Sequence, residues 1–160
     1  MLLESEKNVP KWGECYYDHF EKYLGKPINR EIFEQNRINP VIQIISYDNV
    51  FSNCRAFCSF GLSHYASQIS EVAEVFMPVD AGWEDTPLIL AGTLFYIIQH
   101  DISIGRGRAI RFADVFPDFA LKFGKAAIYF ADPFGVPEDF KRVRCGSKVG
   151  EIYLACYISD

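Results

Sequence analysis

The sequence predicts an α+β fold with a mostly antiparallel or mixed central sheet, and three observations carry that expectation. Short β-branched runs recur from Val41 to Ser159, two stretches have helical character, and the strand and helix signals mix without the regular alternation of a parallel α/β protein. With 160 residues, 49% hydrophobic and 23% charged, the chain has ordinary globular usage and length for one sizeable core. A single domain over residues 1–160 is expected.

The first helix is expected over 12–24. Cys15, Tyr16, His19, Phe20 and Tyr23 fall on one face of an amphipathic turn pattern, and Gly25 follows as a stop. Residues 28–37, INREIFEQNR, read as a second short helix or an irregular arm, because Ile28, Ile32 and Phe33 have helical spacing over barely two turns; Pro40 ends the piece.

Val41, Ile42, Ile44 and Ile45 then mark a strand bounded by Pro40 and Asp48-Asn49. A second strand is expected over about 56–60, ended by Gly61, and a third over 71–77, with Ala73, Val75 and Met77 opposed to Val72, Glu74 and Phe76. Thr86-Pro87 opens a helix running to about His100: the threonine oxygen suits an N-cap and proline the first turn. Leu88, Ile89, Leu90, Leu94, Phe95, Ile97 and Ile98 surround its axis, so it should be buried against the sheet. Gly92 inside it costs about 1 kcal/mol relative to alanine, which close helix-to-strand approach would explain. Strand-like pieces follow at 109–112 and 126–130, and a hairpin joins 141–145 to 151–159 through Gly146-Ser147-Lys148. Its second strand is apolar on both faces and should be interior.

The formal charge is −5 with a pI near 5.2, which makes nucleic acid an unfavourable partner. Arg55 is the one basic residue between 38 and 101, against Asp48, Glu71, Glu74, Asp80, Glu84, Asp85 and Asp101. Were these to share a face, it would attract a basic partner at low salt. Five cysteines, at 15, 54, 58, 145 and 156, are an odd number in a chain large enough to need no disulfide, and no secretory leader or membrane-length apolar run is visible. Those features fit a reducing cytoplasm best and a soluble protein off the membrane.

No residue pattern of high chemical specificity is present. Cys54-x3-Cys58 with His64 offers zinc-type ligands, but two strand positions four apart lie about 13 Å from each other, so neither metal nor cofactor is expected. A cysteine or serine hydrolase could recruit His19, His64 or His100, for example as Cys58, His64 and Asp80, yet no spacing singles such a set out and Gly61-Leu62-Ser63 is not a nucleophile elbow. Gly105-Arg106-Gly107-Arg108 lacks the third glycine and the lysine of phosphate loops and reads as a turn with two arginines at its tip. Asp80, Trp83, Glu84 and Asp85 combine a tryptophan anchor with carboxylates that would steer a cationic partner, against the plain alternative that Trp83 covers the start of the buried helix.

The run Arg55-Ala-Phe-Cys-Ser-Phe-Gly-Leu-Ser-His64, then Glu74-Val-Phe-Met-Pro78, then a tryptophan and the buried helix, resembles the suppressor-of-fused domain family. Gly105–Ile110 and Ala127–Pro133 resemble that family's later glycine turn and its apolar strand ending in proline, so the likeness spans roughly 41–158. His64 and Ser59 stand where the family commonly has aspartate and threonine. The resemblance implies a binding protein rather than an enzyme. Eukaryotic members sequester a transcription factor, and bacterial single-domain members are implicated as immunity proteins that neutralise polymorphic toxins. It also implies that a partner peptide can add as a strand at a sheet edge. The expectation is therefore a cytoplasmic immunity protein against a cognate toxin domain, a basic one where the acidic middle of the chain is its docking face. The alternatives are a regulatory adaptor for a peptide or transcription factor and a small Cys/His-dependent hydrolase.

Overall fold

A computed structural model describes residues 11–35, 38–51, 53–80, 84–118 and 124–159. The α+β expectation holds: one mixed eight-stranded sheet carries helices on both faces. Its strands are β1 (Asn29–Gln35), β2 (Ile38–Phe51), β3 (Cys54–Phe60), β4 (Ala73–Asp80), β5 (Ala109–Arg111), β6 (Ala127–Ala131), β7 (Arg142–Cys145) and β8 (Lys148–Ile158). They are ordered β1-β2-β3-β4-β8-β6-β5, with β7 beside the start of β8. Every pair is antiparallel except β4 and β8, which run parallel at the centre.

Alternation along the strands builds two cores. Helix α1 (Trp12–Leu24) lays Tyr16 and Phe20 on one face, against Ile45, Phe60, Phe76 and Phe140. The Tyr16 hydroxyl donates to the Glu151 carbonyl at 2.8 Å. That approach needs Gly150, where a Cβ would strike the tyrosine ring and hydroxyl. On the other face the longer helix α3 (Thr86–Gln99) packs Ile89, Leu90, Leu94 and Ile97 onto Ile44, Phe57, Val75, Met77 and Ala155. Two single-turn helices, α2 (Ala66–Ile69) and α4 (Phe112–Val115), complete this layer. Among the described residues no helix is long and apolar enough to cross a membrane.

Four expectations change. Residues 29–35 form neither a helix nor an irregular arm but the edge strand β1, because pairing with β2 from Asn29↔Ser46 to Phe33↔Ile42 satisfies its backbone on one side. Thr86 does not cap α3; it is the first helical residue, after Asp85, and its hydroxyl bonds the Tyr157 hydroxyl at 2.8 Å. Gly92 makes room for the Phe116 ring rather than for a strand. Cys15 and Cys145 are not free thiols: a disulfide ties α1 to β7, leaving Cys54, Cys58 and Cys156 free.

Candidate functional site

β4 and β8 are in register only from Ala73↔Glu151 to Phe76↔Leu154, although β4 continues to Asp80 and β8 to Ile158. Beyond that point β4 stays paired with β3 and β8 with β6, so two parallel strands at the centre of the sheet diverge towards their carboxyl ends. An open cleft of about 500 Å³ lies there. Pro78, Val79 and Asp80 come from β4 and Leu154, Cys156 and Tyr157 from β8, while Phe51, Cys54, Phe134, Gly135 and Lys125 complete the lining. Crevices at the carboxyl ends of parallel strands, where neighbouring connections part, are the usual ligand position in open α/β sheets.

The cleft is apolar with a charged rim. Phe134 is 69% exposed at its mouth. Asp80 ends β4 opposite Cys54, and the Cys54 thiol donates to its carboxylate at 3.7 Å. Desolvation and the Asp80 charge both push the Cys54 thiol above its ordinary range, and burial does the same to Cys156. Neither is therefore an activated nucleophile. The Thr86–Tyr157 hydrogen bond fixes the start of α3 against the β8 wall, which sets Glu84 and Asp85, both exposed, at the same end of the sheet. Asp48, near the end of β2, forms an ion pair with Arg55 at 3.8 Å and belongs to this end too.

Of the sequence-derived partner residues, Asp80 lines the cleft and Glu84 and Asp85 stand beside it, whereas Trp83 lies outside the described residues. The seven carboxylates do not share one face. Glu71 meets the Tyr153 hydroxyl, Asp101 follows the far end of α3, and Glu74 is fully buried.

Glu74, counted in the sequence only as one of seven acidic charges, is instead a buried structural carboxylate. Its carboxylate accepts the Ser59 hydroxyl at 2.8 Å and the backbone N–H groups of Gly61, Leu62 and Ser63 at 3.1–3.2 Å. Ser59 Oγ in turn accepts the Val75 N–H at 2.8 Å. Gly61 makes the turn with φ +113°, so close to the Val41 carbonyl that no Cβ would fit. Desolvation raises the Glu74 pKa to about 7, against the donors from Ser63, Ser59 and Gly61 that lower it. Shut away from solvent, this carboxylate organises the Gly-Leu-Ser turn and has no access to a substrate. An acid at an inward position among apolar strand residues was the available signal.

The hydrolase set does not assemble. Cys58 is fully buried and its thiol is pushed well up by burial and then by Glu74. Asp80 and His64 flank opposite ends of β3, about 20 Å apart at the usual strand rise. His19 donates to the Phe140 carbonyl at 2.8 Å and His100 to the Tyr96 carbonyl at 2.9 Å. In the glycine turn, Arg106 pairs with Asp132 and Arg108 donates to the Ser103 carbonyl at 3.1 Å. Comparison of the chain with protein-family models, with curated proteins and with solved structures finds no match.

Proposed function

We propose that this chain is a non-enzymatic protein-binding domain whose partner docks over the cleft between β4 and β8. In its most concrete form it is an immunity protein that neutralises a cognate toxin domain with a basic surface. One observation carries the reading: the central sheet opens into an apolar cleft lined by Asp80 and Lys125, with the exposed Phe134 at its mouth and Glu84 and Asp85 at the same end of the sheet. Apolar surface supplies the affinity of such a site, and the carboxylates supply steering and selectivity for a cationic partner. The resemblance to the suppressor-of-fused family supports the same class of function. A regulatory adaptor would use the same cleft for a client encoded elsewhere.

The test is affinity purification of the tagged protein from its native cells at low and moderate salt, followed by co-expression with whatever basic protein is recovered. A neighbouring gene product that is toxic alone and silenced by this chain supports the immunity reading. Asp80→Lys and Phe134→Ala should each abolish rescue with unfolding temperature unchanged. A partner that is harmless alone turns the assignment to the adaptor, and retained rescue in both variants removes the cleft from it. The reading places this work in the cytoplasm, where the Cys15–Cys145 bond would be kept reduced. Thiol counting in rapidly alkylated native material decides: five free thiols fit the cytoplasm, and three assign the protein to an oxidising compartment.

A further inference from the structure

The sheet ends on one side at β1, whose outer edge faces no other strand among the described residues. Its odd positions turn towards α3: Phe33 packs on that core, and Gln35 accepts a hydrogen bond from Gln99 at 2.6 Å. Its even positions, Arg30, Ile32 and Glu34, therefore lie on the opposite face, where all three are exposed and Ile32 is 60% so. Neither Arg30 nor Glu34 has an ion-pair partner among the described residues.

Charges on an edge strand ordinarily discourage pairing with another chain. Here their order does the reverse for one partner. Two copies of β1 brought together antiparallel about a two-fold axis perpendicular to the sheet must pair residues whose numbers have a constant even sum, because the axis preserves which face a side chain is on. With the axis at Ile32, Ile32 meets its own copy and Arg30 meets Glu34 of the other chain, twice. Moving the axis to Glu31 sets two carboxylates against each other, and moving it to Phe33 sets Glu34 against Ile32. Among these registers the first alone pairs opposite charges on the even-numbered face, and it does so twice, while on the other face it sets Glu31 opposite Phe33; opposite charges directly across strands are favourable where like charges are not.

We propose that β1 is a self-association edge, joining two copies of this chain antiparallel about Ile32 into one continuous sheet. β1 lies three strand spacings from β4, about 14 Å, so both clefts stay open and the dimer presents two of them. This inference is independent of the function proposed for the cleft.

Sedimentation equilibrium of the purified full chain across a concentration series tests it, with thermal unfolding as the control for folding. The wild type should show a monomer–dimer equilibrium that weakens with salt. Arg30→Glu and Glu34→Arg should each raise the dissociation constant about tenfold or more, Ile32→Lys should leave only monomer, and the double variant Arg30→Glu/Glu34→Arg should restore the wild-type constant. A wild type that stays monomeric at every concentration overturns the proposal. So does a dimer indifferent to the single charge reversals, or a double variant that fails to recover association while remaining folded.

Discussion

The Glu74 carboxylate meets four donors that have no other acceptor within the turn they form. Glutamine keeps one carbonyl oxygen but turns an NH2 group towards donors that need an acceptor, so Glu74→Gln should cost about 1–3 kcal/mol at pH 5. The pH dependence follows from the raised pKa. Burial lifts it from the ordinary carboxylate value to about 7, so the folded protein holds this proton more tightly than the unfolded chain does. That contribution is complete below the unfolded value, is lost as pH rises through about 7, and is flat beyond. Urea midpoints measured between pH 5 and 8 should fall in the wild type relative to Glu74→Gln, and converge as pH rises. His19, whose pKa burial lowers, adds a rising slope to both proteins, so a gap between wild type and Glu74→Gln that stays constant or widens over this interval would show that the four donors outweigh desolvation. Composition concealed this residue, because a carboxylate is counted as surface charge until its strand neighbours Ala73, Val75 and Phe76 prove to be buried around it.

Elements were legible in proportion to how locally they are determined. Helix α1 could be read to its ends from one apolar stripe and Gly25, and α3 from Pro87 and its all-round apolar surface. β2, β3, β4 and β8 showed in their β-branched and alternating runs. β1 could not be read, since INREIFEQ has apolar residues at helical spacing and becomes a strand only by pairing with a segment up to 17 positions away. The splaying of β4 from β8 was equally hidden, because it depends on strands joined in register 78 positions apart, as at Ala73↔Glu151. The same division between local and tertiary effects fixes the sign of a substitution in α3. Helix propensity says that Gly92→Ala gains about 1 kcal/mol, but the new Cβ would land on the Phe116 ring. Overpacking should prevail, with a net loss of about 1–2 kcal/mol. Thermal unfolding of Gly92→Ala, Phe116→Leu and the pair should show the double variant more stable than the sum of the singles. A stabilised Gly92→Ala would mean that the ring simply moves aside.

At the scale of the whole molecule, α1 reaches the sheet near one end of the chain and β7 near the other, and the Cys15–Cys145 bond joins them across a separation of 130 residues. A cross-link that closes so long a loop removes many conformations from the unfolded chain and contributes about 2–4 kcal/mol. Non-covalent contacts hold α1 to the sheet as well. Tyr16 and Phe20 are wholly buried in an aromatic cluster with Phe60, Phe76 and Phe140, and each such side chain contributes about 1.5–3 kcal/mol by burial. Reduction should therefore leave the fold intact while lowering the unfolding temperature by about 5–15 °C. The Cys15→Ser/Cys145→Ser variant should melt where the reduced wild type melts and ignore reductant. Phe20→Ala in the reduced protein should then detach α1, seen as loss of helical signal ahead of the main transition. If reduction alone releases α1, the covalent bond rather than the aromatic cluster holds the helix to the sheet, and a reducing compartment would not sustain this architecture.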